Sequence, residues 1–262
     1  LKPGGGVNFD ASKRNNTDIE ASPWSLDLGN AKLRPLMADT VDIAFEKYFG
    51  QGAYVSVGGF YKYLENYIYR QSDAFDFTGF EIPDGGTVAT YQGLANQWRN
   101  GNGGRVYGAE ASLSLPFATF TPALDGFGVL ASGSYTKSSV REGNAAPISM
   151  PGLSRWVVNG TAYFEKAGFQ ARISGRYRSK FLAEVSGLSL KRDLVTAKSE
   201  MVVDAQVGYT FQSGTLEGLG ILLQASNLTN EPFVTYYNND PRQIRDYQNY
   251  GRNFMAGITY KF

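Results

Sequence analysis

Two stretches of this chain combine aromatic rings with amide, carboxylate and guanidinium groups in a way that suits reversible ligand capture. Residues 70–103 contain Tyr91, Asn96, Trp98 and Arg99, and residues 230–249 contain Tyr236, Tyr237, Asn239, Asp240 and Arg242. Sugar rings offer apolar faces that stack on Trp or Tyr, and their hydroxyl arrays suit amide, carboxylate and guanidinium partners. Trp98 is the strongest single candidate. Arg178 closes a segment in which Arg172 and Arg176 share its face, and guanidinium groups so placed suit anionic ligands.

Covalent chemistry has little to work with. The chain has no His and no Cys, which removes the commonest general base, thiolate nucleophiles, disulfides and Cys-ligated metals. No His-dependent triad can form, so an enzyme is not expected. Asp73, Asp76, Glu81 and Asp84 lack the spacing of a calcium loop, and neither a metal nor a cofactor is expected. Gly101-Asn-Gly-Gly104 superficially resembles a phosphate cradle, but a strand follows it where a nucleotide-binding loop needs a helix. The Asn-X-Thr triplets at Asn15, Asn159 and Asn227 are too common a pattern to carry meaning. A net charge of +1, with no long basic cluster, gives no reason to expect nucleic acid as a partner.

The elements that position these residues are strands. The clearest is at the C-terminus, where Phe254, Ala256, Ile258, Tyr260 and Phe262 fall on one face and Asn253, Met255, Gly257, Thr259 and Lys261 on the other. The same alternation runs through Phe169–Arg178 and Met201–Gln212. Noisier versions occur at about 40–49, 52–69, 104–116, 126–141, 153–166 and 218–229, which makes nine strands. The connections between them alternate in length. Short ones follow Phe49, Phe117, Glu165 and Ser213, whereas 70–103, 142–152, 183–199 and 230–249 are long, so the two kinds lie at opposite ends.

This sorting, with aromatics gathered at strand ends, predicts an all-β fold: an antiparallel transmembrane β-barrel with short periplasmic turns and long extracellular loops. Aromatic residues make up 14% of the chain, yet mean hydropathy is only −0.29, because each strand spends alternate residues on lipid and on an aqueous lumen. Inward faces would carry Asp42, Glu46, Lys62, Glu110, Arg172, Arg176, Arg178 and Asp204, most of them expected in structural ion pairs. No segment is apolar for long enough to be a membrane helix.

The residues also carry a family likeness. Gly29-Asn-Ala-Lys-Leu-Arg-Pro35, followed by Ala38 to Glu46, resembles a stretch in barrels of TonB-dependent outer-membrane transporters. Gly104 to Glu110, Pro151 to Arg155, Asn227 to Phe233 and Tyr250 to Phe254 then look like successive signatures of that family in order. The form of the final segments is most similar to the Caulobacter and Xanthomonas type, many of which are associated with carbohydrate uptake.

The resemblance implies a 22-stranded barrel plugged by an N-terminal globular domain, of which this chain would supply about the last nine strands. Residues 29–262 would be that barrel portion, 1–28 an extracellular loop or irregular lead-in, and the plug and TonB-contacting segment would lie upstream. It also implies active import across the bacterial outer membrane of a small-molecule substrate, a saccharide first and a ferric siderophore as the alternative. The implied partners are outer-membrane lipid, the TonB-ExbB-ExbD energy system and the barrel assembly machinery, which would read Tyr260 and Phe262 as an assembly signal. A passive porin-like barrel is the alternative from another class, and a plug encoded upstream would discriminate against it.

Overall fold

A computed structural model describes residues 5–50, 52–188 and 191–261. Its strands are β1 (Gly6–Phe9), β2 (Trp24–Leu28), β3 (Ala38–Phe49), β4 (Ala53–Leu64), β5 (Tyr67–Asp76), β6 (Gln92–Gly101), β7 (Gly104–Pro116), β8 (Phe127–Val140) and β9 (Trp156–Lys166). They continue as β10 (Phe169–Arg178), β11 (Phe181–Leu188), β12 (Lys191–Ala197), β13 (Glu200–Thr210), β14 (Leu219–Ser226), β15 (Phe233–Tyr237), β16 (Ile244–Gln248) and β17 (Asn253–Tyr260). Nine of them form one antiparallel sheet in the order β17-β14-β13-β10-β9-β8-β7-β4-β3. These are the nine strands expected from the alternation, with ends shifted by a few residues.

Register shows why the alternation holds across the sheet. Directly opposite residues share a face, and the pairings align Ile43 with Gly59 and Ala109, and Ile173 with Ala162 and Ala205. Ile221 is opposite both Tyr209 and Ile258. This shared face is apolar and uncovered: Ile173 is 52% exposed and Ile258 76%. The opposite face is small and polar. There Thr161 and Ser174 hydroxyls lie 2.9 Å apart, Asn159 donates to Ser132, and Gln224 donates to Gln206.

The apolar band has charged borders. On β3 the shared face runs from Asp39 through Val41, Ile43 and Phe45 to Lys47, ~27 Å of strand, which a tilt of ~40° reduces to ~20 Å, close to the height of a membrane barrel's apolar band. The short turn after β9 is a two-residue hairpin in which Ala167 (φ 51°) and Gly168 (φ 81°) both take the left-handed region. A Cβ on Gly168 would also meet the Thr210 carbonyl oxygen at 2.2 Å, so glycine is required there twice over.

The long connections are not loops throughout. β5 and β6 extend the β4–β7 pair beyond a break at residues 65–66 and 102–103, and β1 and β2 join them in a four-stranded sheet, order β1-β2-β6-β5. β11, β12, β15 and β16 form a second such sheet above β10, β13, β14 and β17. The 70–103, 183–199 and 230–249 stretches were expected as loops because they lack apolar alternation. Beyond the membrane no lipid selects one apolar face, so the period-two signal fades while the strands continue. The 1–28 segment contributes β1, β2 and two 3-10 turns, Ala11–Lys13 and Ile19–Ala21.

Burial is concentrated in these outer parts. Trp24 is 2% exposed, with Phe9 at 4.7 Å, Phe77 at 5.4 Å and Tyr91 at 6.1 Å between ring centroids. A second cluster forms where the chain turns inward after β8. Val140 and Ile148 exchange two backbone hydrogen bonds of 2.9 Å, and Ile148, Met150 and Leu153 pack on Leu64, Val106 and Val140. Those three residues lie on the polar, lumen side of their strands, so residues 141–155 fold into the mouth of the curved sheet.

Candidate functional site

The fold of the mouth creates a cavity. β8 continues to Val140, but β9 begins only at Trp156, opposite Tyr135. Above that level the wall lacks a strand, because the intervening residues have turned inward. A cavity of about 610 Å³ fills the gap between the outer end of β8, the in-turned segment and β11–β12. Lys137, Arg155 and Lys180 supply positive charge to its lining, Trp156 and Phe181 supply rings, and none of the described lining residues is a carboxylate. Thr136, Ser138, Ser149, Thr196, Asn238 and Asn239 add hydroxyl and amide groups.

Neighbouring contacts hold these groups in place. Trp156 and Ser179 bond reciprocally, the Trp156 N–H to Ser179 Oγ at 3.0 Å and the Ser179 N–H to the Trp156 carbonyl at 2.9 Å. Arg178 donates to Ser154 Oγ at 2.6 Å and to the Gly152 carbonyl at 2.7 Å, and its guanidinium lies 3.8 Å from the Phe181 ring centroid. It is therefore a brace beneath the cavity. Lys180 donates to Asn239 Oδ1 at 3.0 Å, tying the β15–β16 turn to the start of β11. Asn238 (φ 52°) and Asn239 (φ 58°) both occupy the left-handed region, which asparagine tolerates and β-branched residues do not. The Asn238 N–H and Oδ1 pair with the Leu194 carbonyl and N–H.

The residues singled out from sequence are divided between the two outer sheets. Asn96, Trp98 and Arg99 lie on β6, with Tyr91 just before it. Trp98 is 52% exposed, its carbonyl accepting from Asn30 Nδ2 at 2.9 Å. Asn96 accepts from Ser72 Oγ at 2.7 Å, and Arg99 pairs with Asp73 at 3.3 Å. In the other sheet Tyr236 is 5% exposed, and Tyr237 lies beneath the Arg245 guanidinium. Arg242 ion-pairs with Asp240 at 2.7 Å; its side chain and N–H hold the Asp240 carboxyl below its ordinary range. Only Asn239 of the ten lines the cavity, with Arg178 bracing it. Edge strands β5 and β11 bring the two sheets into contact. Tyr260 is exposed on the apolar face of β17, and Phe262 lies outside the described residues.

Sequence reasoning did not single out Arg155, Lys180 or Phe181. Arg155 ends the Pro151-Gly-Leu-Ser-Arg155 signature and Lys180 follows Arg178 by two, so both lay beside recognised features. What brings them together is the inward turn of 141–155, which no local pattern announces. Two other signatures prove to be straps. Arg34 and Asn100 bond reciprocally at 2.8 and 2.9 Å, and Asn66 Nδ2 reaches the Pro35 carbonyl at 2.8 Å, binding 29–37 along the base of the β5–β6 extension. Asn227 accepts from the Glu231 N–H at 2.9 Å and donates to the Gly251 carbonyl at 3.0 Å, joining the ends of β14 and β17. The lumen charges pair as expected in part: Arg172 with Glu165, and Arg176 with Asp204 at 3.4 Å.

Such a sheet, apolar on its outer face, polar within and extended at one end only, defines an outer-membrane β-barrel portion. The family described as TonB dependent receptor-like, beta-barrel, matches residues 2–230, and the chain belongs to it. Proteins of this family are transporters, not enzymes.

No curated protein sequence matches the chain. Among solved structures it is similar to a mutant of the ferric enterobactin receptor PfeA from Pseudomonas aeruginosa (17% identity, 92% of this chain, 33% of that chain, TM-score 0.56). It is also similar to the copper transporter OprC (13% identity, 98% and 36%, TM-score 0.58). A third is the outer-membrane transporter YddB from Escherichia coli (11% identity, 90% and 34%, TM-score 0.55). The chain thus spans about a third of the length of these proteins.

Proposed function

We propose that this chain is the C-terminal barrel portion of an active outer-membrane importer, and that the cavity above β9 is where its substrate is first held. In this reading edge strands β3 and β17 pair with the rest of a 22-stranded barrel. A plug domain upstream closes the lumen until TonB displaces it. The barrel assembly machinery reads the aromatic end of β17.

One observation carries the substrate choice: three cations line a single cavity with two aromatic rings and, among the described lining residues, no carboxylate. Anionic chelates with flat faces, the ferric siderophore class, satisfy both kinds of group, since charged hydrogen bonds are roughly twice as strong as neutral ones. A neutral oligosaccharide leaves the cations unpaired. That second reading draws on Trp98, exposed and held from its backbone on β6, and on the paired amides Asn238 and Asn239. The resemblance of the fold to a ferric enterobactin receptor supports the first.

The test is equilibrium binding of a ferric tricatecholate and of a maltooligosaccharide to the full-length receptor, with Arg155→Gln/Lys180→Gln and Trp98→Ala variants. The anionic reading expects the chelate to bind and the double variant to weaken it at least tenfold, with Trp98→Ala close to unchanged. Saccharide binding lost in Trp98→Ala, with no chelate binding, would replace it with the second reading.

A further inference from the structure

Arg105, with the cavity-lining Lys137, places two cations on the lipid side. On the uncovered apolar face, one row across the sheet reads Asp39 (β3), Tyr63 (β4), Arg105 (β7) and Ser139 (β8). The next row toward the membrane centre reads Val41, Tyr61, Tyr107 and Lys137. Arg105 and Lys137 are therefore diagonal neighbours, about 7 Å apart at Cβ. Both are exposed, and no ion pair engages either among the described residues. The one carboxylate in these rows, Asp39, stands two strands from Arg105, ~10 Å away at the usual strand spacing. Arg105 takes no part in the cavity above β9, whereas Lys137 also lines that cavity.

Position decides what such a pair can meet. The rows lie at the end of the sheet that carries the extensions, where the apolar band gives way to tyrosines, and Tyr61 and Tyr107 stack at 6.4 Å. A barrel places its girdle there, level with the headgroups of the outer leaflet. Cations on a lipid face cost least at that depth, and their stems reach the headgroup layer. A guanidinium fork binds a phosphate through two parallel bonds, while an ammonium acts as a point charge. Ser139 and the tyrosine hydroxyls supply further donors.

The geometry points to a binding site for the phosphate of an outer-leaflet lipid, formed by Arg105 and Lys137 with Tyr63, Tyr107 and Ser139. It rests on the lipid-facing assignment of this sheet face, and Arg105, which lies outside the cavity, makes it separable from the choice of substrate. The occupant is a lipid, because the site opens sideways onto the apolar band and acyl chains can lie along Val41, Ala109 and Ala131 below it.

The experiment is native mass spectrometry of the full-length receptor in a neutral detergent, titrated with bisphosphorylated lipid A, its dephosphorylated form, or inorganic phosphate. The wild-type protein is expected to retain the phosphorylated lipid at least tenfold better than the dephosphorylated one. Arg105→Gln/Lys137→Gln is expected to abolish that preference, and Arg105→Gln alone to lower it about threefold. Lys47→Gln, on the same face at the opposite border, is expected to keep it. Heat-modifiable mobility checks that each variant remains a folded barrel, which separates failure of this site from failure of the membrane assignment. Equal retention of the two lipids by the wild-type protein overturns the proposal without reference to any variant. An undiminished preference in the folded double variant overturns it too, as does displacement of the lipid by equimolar inorganic phosphate.

Discussion

The nine-stranded sheet and the two outer sheets follow one another along the same chain, yet they solve opposite problems. In the large sheet, apolar residues such as Ile43, Ile173 and Ile258 stand uncovered on one face while Ser, Thr and paired charges fill the other. Lipid is the core it lacks. Above the break at Glu65–Asn66 and Asn102–Gly103, the same strands enter water, and burial has to be made by the protein itself: Trp24 among Phe9, Phe77 and Tyr91, and Val140 under Ile148. A membrane strand can thus be read from its alternation, whereas its extension must be read from what it packs against.

The largest effect that would test this contrast comes from a charge placed on the lipid face. Ile173→Arg is expected to cost about 2–4 kcal/mol near the bilayer midplane, lowering the folded fraction in urea titration from vesicles, whereas Ser174→Arg, one residue on and facing the lumen, stays near neutral. If both variants behave alike, the two faces are not different solvents. Next comes Trp24→Ala, expected to cost about 3–5 kcal/mol within the β1-β2-β6-β5 sheet. Limited proteolysis should then cut residues 70–103 while the barrel keeps its heat-modifiable mobility. Barrel collapse in that variant would mean that the two regions fold as one unit.

A smaller effect is expected from the straps. Asn227→Ala removes one side-chain hydrogen bond to the Gly251 carbonyl before β17 and three within residues 227–231, worth about 1–3 kcal/mol together, and should raise hydrogen exchange at Glu231 and Phe233 before that at Ile258. The smallest is a pH effect confined to water-facing parts. Asp76 is held below its ordinary range by the Thr78 hydroxyl and N–H, and Asp84 by the Gly86 N–H and then Arg14. A carboxyl with a depressed folded value stabilises fully above the free Asp value of about 3.9 and loses that contribution as pH falls through the folded value. Proteolytic susceptibility of residues 70–103 should therefore rise below about pH 4 and be flat from pH 5 to 8. A transition near neutrality would contradict this.

How much could be read in advance follows the same division. Phe169–Arg178 was legible to the residue because lipid and lumen impose alternate chemistry on it. β5 and β6 were not, since Arg70, Ser72, Gln97 and Arg99 meet water or polar neighbours on either side and leave no period. The aromatic and amide groups of 70–103 and 230–249 were visible as types, but their partners were not: Arg99 is taken up by Asp73, Arg242 by Asp240, and Tyr236 by burial. Arg155 and Lys180 share one cavity because a segment folds inward onto Leu64, Val106 and Val140, a contact between residues far apart in the chain. Arg105 and Lys137 meet through strand register, which the alternation alone does not give.

Because this chain has no cysteine, single-cysteine scanning within it, in a full-length receptor freed of any cysteine elsewhere, reads the central claim. A fluorophore placed in turn at positions 171 to 176 of the full-length receptor in vesicles is quenched either by lipid-borne nitroxides or by a soluble quencher. Ala171, Ile173 and Gly175 are predicted to respond to the lipid quencher, and Arg172, Ser174 and Arg176 to the aqueous one, in strict alternation. A uniform response along the strand, to either quencher, would contradict a sheet that separates lipid from lumen.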